Sequence, residues 1–316
     1  MRELYPQIDA LQRYHLQVDE VHTVYAEEAG NPHGIPVIFL HGGPGSGCNE
    51  NHRRYFNPKK YRIVLFDQRG CNRSTPAGET RNNSTPELLQ DVERIRDRLG
   101  IEQWLVFGGS WGATLGLLYA QSYPSRVLGL ILRGTFLARQ QDLNWFVRQG
   151  AGMIFPDYWQ EFTELIPQAE RDDLVTAYHT RVHGADRQTR EAAALAWSQW
   201  AGRLVTYLLP GVGDYTPSDV DKTVCEVLIE THYAKHRYFI AENQILDNAA
   251  LLPAVPIRII HGRRDLTCTL DASWSLHRAR PDAQLVIVRE GGHLAGEAVM
   301  TDALVTATDE FAHRLS

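Results

Sequence analysis

The sequence predicts an α/β fold: a mostly parallel sheet flanked by helices, with a helical cap inserted after the sixth strand. Three observations carry this. Short apolar segments such as 36–40 and 62–66 have the pattern of strands covered on both faces. They alternate with segments of helical periodicity, as in a sheet wound with crossover helices. Between about 138 and 239 the strand pattern stops and long helical patterns replace it.

Residues 13–29 alternate apolar and polar on either side of Asp19-Glu20, as a half-exposed antiparallel hairpin does. Segment 36–40 is the first buried strand and runs into His41-Gly-Gly-Pro-Gly45. That turn is not a P-loop, since no Gly-Lys-Ser/Thr follows. Segment 62–66 ends in a polar loop, 67–76, rich in turn formers. Thr85-Pro86 starts a helix with proline in its first turn; Leu89, Val92, Ile95 and Leu99 recur at helical spacing until Gly100 stops it. Strand 104–107 and helix 113–120 flank Gly108-Gly109-Ser110-Trp111-Gly112, and 127–132 is the sixth strand.

The stretch 138–239 holds four of the seven tryptophans, Trp145, Trp159, Trp197 and Trp200. Most of its aromatics are expected to form its own small core, with a few facing the site as a lid. Buried-strand patterns return at 256–260 and 284–288, and a helix over about 301–314 closes the chain. The expected division is a core of 1–137 and 240–316 and a helical cap of 138–239. There is no internal repeat and no low-complexity segment.

The net charge is -6, with Lys and Arg scattered, so no basic face for nucleic acid and no polybasic membrane patch is expected. No apolar run approaches the roughly 20 residues that cross a bilayer, and residues 1–6 lack the apolar core of a secretory signal. A cytoplasmic location is expected. Cys48, Cys71, Cys225 and Cys268 form no C-x-x-C pair and are expected as free thiols. His179 with His183 and His232 with His236 have helical spacing but no H-E-x-x-H glutamate and no third ligand. Surface or capping roles are expected for them, with neither metal nor cofactor. Composition does not fix the oligomeric state.

Gly108-Gly109-Ser110-Trp111-Gly112 lies between a strand and a helix, and G-x-S-x-G at such a junction reads as a nucleophile elbow. Glycines are needed because the strained turn brings strand and helix backbones together without side chains between them. A serine hydroxyl is a weak nucleophile near neutrality; it needs a base for its proton and a carboxylate to orient that base. Ser110, Asp265 and His293 follow one another in the order of the α/β-hydrolases, each just beyond a core strand. Asp247, Asp271 and Asp282 compete less well, because they precede a strand or flank a helix. His261 ends the preceding strand and is expected to be structural. The backbone N–H groups of Gly43 and Trp111 are the candidate oxyanion donors.

H-G-G-P-G (41–45), D-Q-R-G-x-x-R-S (67–74), G-G-S-W-G (108–112), L-R-G-x-F (132–136), G-R-x-D-x-x-C (262–268) and G-H (292–293) occur together over nearly the whole chain. Together they resemble the proline iminopeptidase (prolyl aminopeptidase) family of α/β-hydrolases. The resemblance implies a metal-free cytosolic serine exopeptidase that releases N-terminal proline from peptides with a free N-terminus. Ser110 would be nucleophile, His293 base then acid, and Asp265 the orienting carboxylate. It also implies that Glu230, in a cap helix, binds the substrate amine, that Arg133 and Phe136 line the pocket, and that Cys268 lies close by. The family's W-x-x-W-E cap motif departs here: the sequence reads Trp197-Ser-Gln-Trp200-Ala201. Glu242 is a candidate acid for the place of the missing glutamate.

Losing one charged partner of a bound ammonium costs a few kcal/mol, roughly a hundredfold in specificity. Ala201 therefore opens an alternative, an esterase or amidase of the same fold with relaxed amine recognition. A third reading, a non-catalytic binding protein on a hydrolase scaffold, sits poorly with three intact triad candidates.

Overall fold

The computed structural model describes residues 1–148, 150–209 and 215–315. Its strands are β1 (Ala10–Gln17), β2 (Thr23–Gly30), β3 (Ile35–Leu40), β4 (Tyr61–Asp67), β5 (Trp104–Gly109), β6 (Val127–Arg133), β7 (Ile257–Gly262) and β8 (Gln284–Val288). They form one sheet in the order β1-β2-β4-β3-β5-β6-β7-β8. β1 and β2 pair antiparallel, β2 runs antiparallel to β4, and all later pairings are parallel. The parallel part is the α/β architecture that the alternating pattern predicts.

The hairpin differs from its expectation. β1 is largely exposed, but β2 is mostly buried, because β4 pairs along its other edge. Glu27 points inward and is only 1% exposed, with its carboxylate bound to Arg53 and Arg73. A buried ion pair thus reads in the sequence as a solvent-facing position.

α1 (Thr85–Arg98) begins at the expected proline turn, and α2 (Trp111–Ser122) follows β5 directly. Between β6 and β7 come α3 (Gln140–Val147), α4 (Ala151–Ile154), α5 (Pro156–Glu164), α6 (Leu174–Val182), α7 (Arg187–Thr206) and α8 (Val220–Lys235). Short α9 (Gln244–Asp247), then α10 (Leu270–Ala279) and α11 (Ala298–Leu315), complete the chain. α11 starts slightly before the expected position.

Alternate residues of the central strands feed two cores. Ile38, Val64, Val106 and Leu132 pack under α1, α2 and α10. Val37, Leu65, Leu105 and Ile131 pack under α11. The inserted helices have an aromatic core of their own: Phe162 stacks on Tyr178 at 4.6 Å and on Trp200 at 5.5 Å, and Trp159 meets Trp200 edge-on. Trp197 joins this core edge-on to Tyr178 at 5.5 Å and also lines the cavity below. Among the described residues, no helix is long and apolar enough to cross a membrane.

Candidate active site

Ser110 occupies the β5–α2 junction with φ 58° and ψ -125°, a conformation that β-carbon sterics disfavour. The turn closes only because its neighbours lack side chains. A Cβ on Gly112 would run into the carbonyls of Leu40 and His41 at the end of β3, and one on Gly109 would strike the Arg133 guanidinium. The nucleophile candidate is thereby pressed against both adjacent strand ends.

Asp265 and His293 lie just past β7 and β8 and meet: His293 Nδ1 is 2.7 Å from Asp265 Oδ2. The other carboxylate oxygen accepts the N–H groups of Thr267 and Cys268, both at 2.9 Å. Burial by itself would raise the Asp265 carboxyl. The His293 charge and hydrogen bond, helped by His261 and the Cys268 N–H, outweigh it and hold the group below the ordinary carboxylate value. An ionised Asp265 fixes the Nδ1–H tautomer and leaves Nε2 as the basic nitrogen.

Nε2 is not bonded to Ser110. It lies 3.2 Å from Arg133 Nη1, which also donates to the His293 carbonyl at 2.8 Å. The Ser110 hydroxyl lies 3.8 Å from Cys268 Sγ, a thiol that burial and the Asp265 charge push well above its ordinary pKa. Ser110, Arg133 and His293 line the same cavity, with no hydrogen bond between the serine hydroxyl and the imidazole.

The rival acids are occupied elsewhere. Asp271 binds Arg139, Asp282 binds Arg280, and Asp247 accepts from Asn243. His261 is fully buried between the Ser273 hydroxyl and the Cys268 carbonyl, at 2.7 and 2.8 Å, where it braces the loop carrying Asp265.

The two glycine-rich turns are tied together through Gln68. Its N–H donates to His41 Nε2 and its side-chain amide to the His41 carbonyl, both at 3.0 Å, while its Oε1 accepts Trp111 Nε1 at 2.8 Å. Around it, Asp67 accepts the Cys48 N–H at 2.6 Å and Arg73 Nε at 2.7 Å. Arg69 forms a two-pronged pair with Asp91 at 2.6 and 2.8 Å. The sequence marks this segment as a polar loop and as one of the family motifs, with no role assigned to its residues; its buried charges are a brace between the turn after β3 and the elbow. Gly43 and Trp111 lie on the two braced turns, and among the described residues neither backbone N–H has an internal acceptor.

The cavity measures about 640 Å³ and runs from the sheet edge to the inserted helices. Phe136 lines it, edge-on to Tyr238 at 5.0 Å, and Tyr238 in turn stacks on Trp111 at 5.6 Å. Tyr238 carries no motif and was not expected; its left-handed backbone, φ 55°, is a signal visible only in three dimensions.

Glu230, on α8, lines the same cavity and accepts Trp197 Nε1 at 2.7 Å. Among the described residues no Lys, Arg or His forms an ion pair with it. Burial, partly offset by the Trp197 bond and reinforced by the Glu226 charge, pushes its carboxyl up to about 8. Ala201 also lines the cavity. Glu242 does not: it is exposed and caps α3 through the Gln140 N–H. The acid that does reach the wall, Asp142, is bound to Arg139.

The two histidine pairs come together between α6 and α8. His179 stacks on His183 at 4.1 Å, and His232 lies 4.8 Å from His236. Among the described residues, no group of His, Cys, Asp or Glu is arranged to hold a metal ion. All four cysteines are free, three of them buried.

A family profile described as alpha/beta hydrolase fold matches residues 35–297. A proline iminopeptidase from Xylella fastidiosa is 47% identical over 98% of this chain and 100% of its own. A probable proline iminopeptidase from Leptolyngbya boryana is 45% identical over 98% of this chain and 97% of its own. Among solved structures, a proline iminopeptidase from Mycobacterium smegmatis superposes with a TM-score of 0.60 at 18% identity, over 96% of this chain and 100% of its own, a likeness of fold.

Proposed function

Since the chain belongs to the proline iminopeptidase family of the α/β-hydrolase fold, we propose that it is a serine exopeptidase releasing N-terminal residues, proline first, from peptides. The observation that carries this is Glu230: a partly buried carboxyl group on the cavity wall, held by Trp197 and without a cationic partner among the described residues. Such a group is costly unless a cation arrives, and a substrate ammonium is that cation.

In the proposed mechanism the ammonium docks on Glu230 and the pyrrolidine ring packs against Phe136. Ser110 Oγ attacks the carbonyl that follows, and its proton passes to His293 Nε2. The N–H groups of Gly43 and Trp111 receive the oxyanion. His293 then gives the proton to the departing amine, leaving an acyl-enzyme. Water, deprotonated by the same imidazole, cleaves the ester and restores Ser110. Asp265 stays ionised throughout and stabilises the imidazolium. Residues 138–239 act in this scheme as a cap over a core of 1–137 and 240–316, and the working location is the cytoplasm.

The esterase or amidase alternative opened by Ala201 is not favoured, because near-full-length relatives at 41–47% identity carry the iminopeptidase name. The deciding assay compares kcat/KM for proline β-naphthylamide, its N-acetylated form and alanine β-naphthylamide, with Ser110→Ala as control. Strong preference for free proline is expected. Equal turnover of the acetylated compound would overturn the reading.

A further inference from the structure

Most buried arginines of this protein have carboxylate partners: Arg53 has Glu27, Arg69 has Asp91, Arg139 has Asp142. Arg133 is different. Its guanidinium faces the cavity and bonds only to Nε2 and the carbonyl of His293, and no carboxylate of the described residues pairs with it. Arg54 also lines this side and binds neutral oxygens, the Tyr5 carbonyl at 2.7 Å and Asn51 Oδ1 at 3.0 Å. The positive charges of both arginines are felt by the Tyr55 hydroxyl. The cap wall, by contrast, offers the unpaired acid Glu230. The cavity thus has an acidic end in the cap and a basic end at the sheet, with Ser110 on its lining.

That polarity matches a short zwitterion. We propose that Arg133 receives the C-terminal carboxylate of a dipeptide, so that free dipeptides with N-terminal proline are the preferred substrate class. This rests on the aminopeptidase reading above. In a dipeptide the carboxylate is separated from the scissile nitrogen by one carbon. An anion gripped by a guanidinium that touches His293 Nε2 therefore leaves that nitrogen beside the atom which must protonate it. The carboxylate is also a stronger acceptor than the neutral imidazole lone pair, because it offers the guanidinium an opposite charge and two oxygens in place of one nitrogen. Binding draws Arg133 from Nε2 and frees that lone pair for the Ser110 hydroxyl.

The test measures kcat/KM for Pro-Gly and for Pro-glycinamide, which differ only in the terminal charge, beside proline β-naphthylamide. A charged hydrogen-bonded partner is worth roughly tenfold to a hundredfold, and that is the excess expected for Pro-Gly. In Arg133→Gln the ratio of the two peptides should fall to near one, and Arg133→Lys should restore part of it. Because the readout is a ratio within each protein, a general loss of activity in a variant does not move it, and the wild-type ratio alone is decisive if a variant fails to fold. If proline β-naphthylamide is cleaved but Pro-Gly and its amide are equal, the carboxylate proposal falls and the aminopeptidase reading stands. A preference for Pro-Gly that persists in Arg133→Gln also overturns it. If none of the three is cleaved, both fall.

Discussion

Replacing Glu230 with glutamine separates two consequences of burying a carboxylate against the cap. The first is kinetic. With its carboxyl raised to about 8, Glu230 is ionised in only about one molecule in a hundred at pH 6 and about half at pH 8, so kcat/KM for proline β-naphthylamide should climb roughly fiftyfold between the two. Glutamine keeps the Trp197 contact but cannot ionise; it should lower kcat/KM at pH 8 by roughly 2–5 kcal/mol of lost ammonium binding and flatten that limb. The second consequence is stability. The folded pKa lies above the ordinary 4.5, so the stabilising protonated form is fully present below about 4.5 and is lost as pH rises through about 8. The full shift would correspond to a ceiling near 5 kcal/mol; part of the Glu230 surface faces cavity water, which reduces it to about 1–3 kcal/mol. Urea unfolding should therefore find Glu230→Gln equal to wild type at pH 4 and more stable at pH 9. An unchanged acid limb in the variant, or no gain in stability at pH 9, would refute the reasoning.

Asp265→Asn should leave KM for proline β-naphthylamide nearly unchanged and lower kcat by roughly 10³–10⁴, because the imidazole loses the partner that fixes its tautomer; steady-state kinetics checks this. Ala201→Glu, which returns a second acid to the cavity wall, should widen the discrimination between free and N-acetylated proline substrates by roughly tenfold or more, read from the two kcat/KM values. Arg69→Met should leave the fully buried Asp91 with Arg94 as its remaining cationic partner and cost roughly 1–3 kcal/mol in urea unfolding, although Arg69 touches neither Ser110 nor His293.

The parallel strands were legible because a strand covered on both faces must be apolar at every position, and β3 and β5 are. The positions of Ser110, Asp265 and His293 were legible for a related reason: each follows a readable strand, and the sheet brings strand ends to one edge. Illegible were the features made by long side chains crossing between elements. Glu27 alternates like a surface residue, yet Arg53 and Arg73 neutralise it inside. Gln68 gives no periodic signal, yet it links His41 to Trp111. The approach of Arg133 to His293 Nε2 depends on a rotamer that runs beneath the nucleophile, across space left by Gly109. Tyr238 reaches the cavity through a backbone twist that its neighbours in sequence do not announce. Periodicity reports which face of an element is buried; it does not report what a polar side chain touches once buried.

The backbone contact at Gly112 also bears on how such an enzyme diversifies. Between the carbonyl of Leu40 and the first turn of α2 there is no side chain, so mutation has nothing there to trim or enlarge. On the proposed function, a change of substrate choice falls instead to residues such as Ala201, which line the cavity away from that contact.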